Sequence, residues 1–416
     1  QMQIKDDGWR GYMVSKQALN PAHPGHRFTI GSLETLKGDV GSDLMSFFAE
    51  NYSADQMGLV VLSNKSLGEL EKLVTPLFNQ VKNTDIGPSY PEEALFTKAQ
   101  LPVVLTSISL KEKYQIAYNF PMPNTREVYK TKPEQYITNL LGHEGQGSLH
   151  SVLNKAGWIE SLGVGTQSFD RRNSLLSVNI ELTEEGRSHI PEITDLLFQY
   201  IDLLKADKPE ERIYLEQAKV AELGFRFQEK GSTVGFVYQM APRLDEYPAQ
   251  DLLVAPYLME GFDAALISKS LGFLREDNVF VEISAPDLKT DQVEPWFNVP
   301  YALNVGEIET VGFNGATLNL PPTNPYLPNN LNLLPVDNKS IKRVTDKPEL
   351  QVWLDTDVTF GTPRANTSIL LLTDGGLSGL KDRSYAELYR RLVNDTLSTT
   401  VYPAYLAGLG YGLGSN

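Results

Sequence analysis

Apolar residues recur along this chain in two rhythms, and each rhythm marks an element. Leu176, Val178, Ile180 and Leu182 alternate with Ser177, Asn179 and Glu181, the period-2 pattern of a strand with one buried face. Tyr114-Gln115-Ile116-Ala117-Tyr118 and Asn278-Val279-Phe280-Val281-Glu282-Ile283 read as strands too. Ile190, Ile193, Leu197, Ile201 and Leu204 share one helical face. Further helices are predicted over about 39–52, with Leu44, Phe47 and Phe48 on one side, and over about 133–141, 209–229, 257–272 and 383–401. Ser66-Leu67-Gly68-Glu69 has the capping-box spacing and opens a helix carrying Leu67, Leu70, Val74, Leu77 and Phe78. Three short apolar runs, 58–63, 350–354 and 368–372, predict strands, the first of them buried. The opening stretch reads as a loop that ends in Asn20-Pro21-Ala22-His23-Pro24-Gly25-His26, because its prolines bar a helix.

Two breaks interrupt the pattern. Gly87, Pro88, Pro91 and Pro102 mark 83–102 as a linker. Pro321, Pro322, Pro325, Pro328, Pro335 and Pro348, mixed with Asn, mark 321–348 as an extended connector. The pattern therefore starts three times. Its strands alternate rather than run solidly apolar, which points to α+β domains with a sheet covered on one face, not to a doubly wound parallel fold. The first and third units are short for a complete domain, and the chain reads as cut at both ends.

Composition narrows the chemistry. The 416 residues include no cysteine, which excludes disulfides, thiolate–zinc clusters and a cysteine nucleophile, and leaves both cytosol and bacterial periplasm open. A net charge of −15 argues against nucleic acid as a partner. That excess either steers basic peptides or simply keeps a large protein soluble. No apolar run reaches the ~18–20 residues of a membrane span, so no membrane partner is expected. Gln1-Met2-Gln3-Ile4-Lys5-Asp6-Asp7 lacks the basic start and apolar stretch of a secretory signal.

Five histidines are present: His23, His26, His143, His150 and His189. Neither His-Glu-x-x-His nor its inverted form occurs among them, so no metal site is expected in this chain. His143 and Ser148 invite a nucleophile–base reading, but the Gly-x-Ser-x-Gly elbow is absent. Gly163-Val164-Gly165 completes no dinucleotide fingerprint. One region stands out. Leu140-Leu141-Gly142-His143-Glu144-Gly145-Gln146-Gly147-Ser148-Leu149 runs into a helix, and Gly157–Gln167 runs into a strand carrying two glycines. Such a strand either lets another extended chain approach its backbone or has glycines where neighbouring elements crowd.

The chain resembles the insulinase/pitrilysin family of zinc metallopeptidases. The resemblance rests on Asn20–Gly25, Phe28-Thr29-Ile30-Gly31-Ser32-Leu33-Glu34-Thr35, Leu141–Leu149, Leu182-Thr183-Glu184-Glu185-Gly186 and Ala404-Tyr405-Leu406-Ala407-Gly408-Leu409, in the family's order. It implies repeated α+β domains, each a mostly antiparallel sheet with helices packed on one face. Residues 1–92 would be the C-terminal part of a first, catalytic-type domain, and 93–318 a complete second domain. A Pro-rich linker at 319–348 and the start of a third domain at 349–416 would follow. The chain would thus be an internal piece of a zinc metalloendopeptidase, its zinc motif and catalytic residues lying outside it, with zinc in the full-length parent and none here. A complete non-catalytic peptide-binding or scaffold protein of the same fold is the alternative. The resemblance further implies an exosite for peptide substrates at Gly142, His143, Glu144 and Gly145 with Gly163, Val164, Gly165 and Gln167. Here Gln146 replaces the family's commonest Pro, and one residue is extra before Gly163. Trp9 and Tyr12 resemble aromatic positions near the family's substrate cleft. Peptide substrates and the remaining domains of the parent protease are the implied partners, and the bacterial periplasm, or alternatively the cytoplasm, the implied compartment.

Overall fold

The computed structural model describes residues 3–111, 113–306, 308–333, 335, 341–359, 361–372 and 379–414. The chain divides into one compact unit of residues 1–221 and 230–323 and a second of residues 222–229 and 324–416. From Gln3 to Thr323 the elements are α1 (Asp7–Ser15), α2 (Val40–Asn51), α3 (Leu67–Phe78), β1 (Val103–Ile108), β2 (Tyr114–Pro123), α4 (Pro133–Leu141), α5 (Leu149–Lys155), β3 (Ile159–Ser168), β4 (Asn173–Leu182), α6 (Ile190–Ala206), α7 (Glu211–Arg226), α8 (Thr233–Glu246), α9 (Ala264–Leu271), β5 (Phe280–Ala285), β6 (Gln292–Glu294) and β7 (Val299–Val305). The second unit carries β8 (Lys342–Lys347), β9 (Leu350–Leu354) and α10 (Leu380–Leu406).

Seven strands of the first unit form one sheet in the order β3-β4-β2-β5-β1-β7-β6. Every neighbouring pair is antiparallel except β1 with β5. The alternation in β4 has its expected consequence. Leu176, Val178, Ile180 and Leu182 join Ile116, Tyr118 and Phe120 of β2 in the main core, under Ile137 and Leu140 of α4 and Ile193, Leu197 and Ile201 of α6. Within that core the Tyr118 hydroxyl lies 2.7 Å from Thr194 Oγ1, so its polar end is satisfied. A smaller core covers part of the opposite face: Met13 and Val14 of α1, with Leu95 and Phe96, pack on Val103, Leu105, Phe280, Val299 and Tyr301. The β3–β4 end of that face stays open, with Gly163 and Asn179 exposed.

Several expectations are corrected. The opening stretch is helical, because Asp6 Oδ1 accepts the Trp9 amide at 3.0 Å and starts α1. Residues 58–63 form no strand, and Leu59, Val61 and Leu62 are exposed. Residues 368–372 likewise form none, with Ile369–Leu372 exposed. A strand needs a ladder neighbour, and among the described residues none lies beside either run. The 321–348 connector contains β8, which pairs with β9. The helix expected from 257 begins at Ala264, after Gly261 at φ +80° and the N-cap Asp263, whose Oδ1 accepts the Leu266 amide at 2.9 Å. Helix α3 has the full capping box between Ser66 and Glu69, yet its Leu67 and Leu77 stay exposed. No described helix is long and apolar enough to cross a membrane.

Burial rather than hydrophobicity sets the cost of truncation. Leu197→Ala in the main core is expected to lower stability by about 2–5 kcal/mol. Leu77→Ala, at a side chain 67% exposed, should change it by less than about 0.5 kcal/mol. Urea unfolding of the two variants checks the contrast.

Candidate functional site

Among the described residues, strand β3 lies at the margin of the sheet, paired with β4 on one side only. Ile159 and Leu162 anchor it in the core, Val164 is half-buried, and Gly163, Gly165, Thr166 and Gln167 are exposed. The register sets Gly163 opposite Asn179 and Gly165 opposite Ser177, so both glycines face the open side of the sheet. A Cβ added at either would meet nothing within 4 Å, and neither needs a left-handed backbone. Crowding from within the described chain therefore accounts for neither glycine. It does account for others: a Cβ at Gly186 would fall 1.9 Å from the Trp158 carbonyl oxygen, and one at Gly145 would fall 2.4 Å from His143 Cε1.

The loop between α4 and α5 backs this strand. Gly142 caps α4, its amide donating to the Thr138 carbonyl at 2.9 Å, and a Cβ there would sit 3.4 Å from Val164 Cβ. His143 is buried, and its Nδ1 accepts the Gly145 amide at 3.0 Å. Burial pushes this imidazole down to about 4, so the ring is neutral at ordinary pH with its proton on Nε2. Ser148 Oγ caps α5 by accepting the Ser151 amide at 3.1 Å. Both members of the sequence's nucleophile–base pairing thus accept backbone amides, His143 that of Gly145 in the loop and Ser148 that of Ser151 in the first turn of α5. Gly147, at φ +81°, turns the chain between them. Burial also pushes His150 down, and the nearby half-buried Glu144 carboxylate opposes that shift.

Trp9 and Tyr12 are not part of this cluster. They stand edge-to-face with centroids 6.1 Å apart on the outer side of α1, 41% and 47% exposed. Their helix is held over the far strands. Asp7 Oδ1 accepts the Leu110 amide at 2.7 Å, Arg10 donates to the Ile108 carbonyl at 3.3 Å, and Ser15 Oγ bonds to Glu282 of β5. Strand β5 is three positions from β3, roughly 14 Å at the usual strand spacing. Among the described residues no three His, Asp or Glu side chains gather where one metal ion could be shared. His23 faces Asp170 at 3.2 Å, and His189 faces Glu192 at 3.3 Å while stacked on Trp158. This donor set does not fit a zinc ion.

Two family descriptions match the chain: "Peptidase M16 inactive domain" over residues 41–220 and "Middle or third domain of peptidase M16" over residues 225–416. Insulin-degrading enzyme of Homo sapiens is 32% identical over 428 residues, 99% of this chain and 42% of that protein. Insulin-degrading enzyme-like 1, peroxisomal, of Arabidopsis thaliana is 30% identical over 430 residues, 99% of this chain and 44% of that protein. The chain therefore spans less than half the length of these relatives. The crystal structure of pitrilysin superposes with a TM-score of 0.84 at 23% identity, covering 98% of this chain and 45% of that one, and shares its fold.

Two expectations follow from the geometry. Gly163→Ala and Gly165→Ala should leave stability unchanged or raise it by up to about 1 kcal/mol, because the new methyl meets no atom and the unfolded chain loses freedom. Gly145→Ala, which drives a methyl into His143, should cost about 1–3 kcal/mol; thermal unfolding separates the cases. The second concerns acid. The folded state disfavours the charged His143 ring, whereas the unfolded chain binds that proton near 6.5. Its contribution is thus complete above about 6.5 and is lost as pH falls toward about 4. His143→Gln should flatten the stability–pH profile across that window in urea titrations.

Proposed function

The chain belongs to the peptidase M16 family, and from that premise we propose that it captures extended peptides along the outer edge of β3, contributing substrate anchoring to a zinc-dependent metalloendopeptidase whose cleaving groups lie in other domains of the parent. The observation that carries the reading is the open space over Gly163 and Gly165 on a strand whose outer side pairs with no other strand among the described residues. An added strand bonds to the free amides and carbonyls of that side. Its side chains project over the same faces, and opposite a glycine a bulky one sits without collision. Gly142–Gly145 close the margin of the seat, and Glu144 receives the ammonium group of a free peptide N-terminus. The chain's charge of −15 draws basic peptides toward it.

The division of labour follows from the residue types. Hydrolysis through zinc needs an imidazole–carboxylate ligand set, and neither order of the His/Glu motif is in this sequence. We accordingly assign 93–318 as the peptide-holding domain, since all seven strands of its sheet lie between Val103 and Val305. Residues 1–92 are assigned to a first domain, 319–348 to a linker and 349–416 to a third domain.

A fluorescently labelled decapeptide with a free N-terminus should bind the chain saturably in anisotropy titrations. Gly165→Phe fills the seat and should weaken binding at least about tenfold, or 1.4 kcal/mol, without lowering the melting temperature. Glu144→Gln should weaken the free-amine peptide and leave its N-acetylated form unchanged. Wild-type affinity in Gly165→Phe would contradict capture at β3.

A further inference from the structure

The segment Asn20–Gly25 has no part in the seat just described, yet nearly every residue of it is engaged. Asn20 accepts and donates at once: its amide and Nδ2 reach the carbonyls of Leu95 and Ala94 at 3.0 and 2.8 Å, and its Oδ1 takes the Ala22 amide at 3.1 Å. His23, 1% exposed, accepts the Gly25 amide on Nδ1 at 3.0 Å, which leaves its ring proton on Nε2, 3.2 Å from Asp170 Oδ2. Gly25 admits no side chain, since a Cβ would fall 2.5 Å from Phe169 Cε1. Asp170 and Phe169 form the tip of the β3–β4 hairpin. The other Asp170 oxygen holds that tip by accepting the Arg172 and Asn173 amides at 2.7 and 2.8 Å.

The turn is tied just as firmly toward α1. The Lys16 ammonium, on a side chain that is itself buried, donates to the Gly25 and Arg27 carbonyls at 3.1 and 2.9 Å and lies 4.9 Å from the centre of the Tyr12 ring. A continuous line of contacts thus runs from Tyr12 through Lys16, Gly25, His23 and Asp170 to the end of β3. We propose that His23 and Asp170 are positioning residues for peptide capture: they fix the Trp9–Tyr12 aromatic pair relative to the edge of β3, so that a peptide leaving the strand continues onto those rings. This rests on the capture reading above. A peptide that occupies β3 alone does not sense the pair, and one that extends past the hairpin tip does.

Peptide length separates this role from a general structural one. Two labelled probes are titrated against the full chain: a tetrapeptide spanning ~13 Å and a decapeptide spanning ~33 Å. His23→Ala should weaken the decapeptide about tenfold, a modest effect for an ångström-scale misplacement, and the tetrapeptide less than about twofold. His23→Gln keeps an N–H for Asp170 and should recover most of the loss, while Asp170→Ala should match His23→Ala. Equal losses on both probes, or none on the decapeptide, would overturn the positioning role. Failure of the wild-type chain to bind either probe would overturn the capture reading itself, a result distinct from any difference among variants.

Discussion

A strand at the margin of a sheet has a row of amides and carbonyls with no ladder partner, and in water such a row attracts other extended chains. Proteins usually blunt it with lysine, proline or a bulge. Strand β3 has its register shift early, between Ile159 and Ser161, and from Gly163 to Gln167 it has none of these devices. It is held in place by what lies behind it. Leu162 and Val164 key into the core, β4 supplies the inner ladder, and the α4–α5 loop abuts the strand where Gly142 meets Val164. The openness of this edge is the constraint on which the functional reading turns.

The supporting loop achieves rigidity by satisfying its own backbone. A neutral, buried His143 takes the Gly145 amide, Ser148 takes the Ser151 amide, and the glycines at 145 and 147 allow a path that side chains would block. These are uses of histidine and serine as shape rather than as reagents. The same economy recurs at the hairpin tip, where His23 and Asp170 join segments 147 residues apart in sequence.

Much of the sheet was legible because one face is buried against helices. Alternation in β4 and the helical stripe of α6 both follow from contact with the same core. The apolar runs at 58–63 and 368–372 look like strands locally, but strand formation depends on a neighbour that the described residues do not provide. Helix α1 was hidden by prolines that follow it rather than lie within it, and α8 has an internal Pro242. At the site, the sequence put Gly163 and Gly165 on a strand but was silent on whether the space above them was full or empty. Only the three-dimensional neighbourhood separates a glycine that relieves crowding from one that leaves room. Asp170 carried no local signal at all, since its partner is on a distant turn.

Hydrogen–deuterium exchange of the full chain with and without a saturating free-amine decapeptide tests the central claim most directly. Capture at the edge predicts slower exchange at those amides of Gly163–Gln167 that do not already bond to β4, with Val178 and Ile180 in the sheet interior unchanged. Saturable peptide binding with no slowing anywhere along β3 would contradict the account.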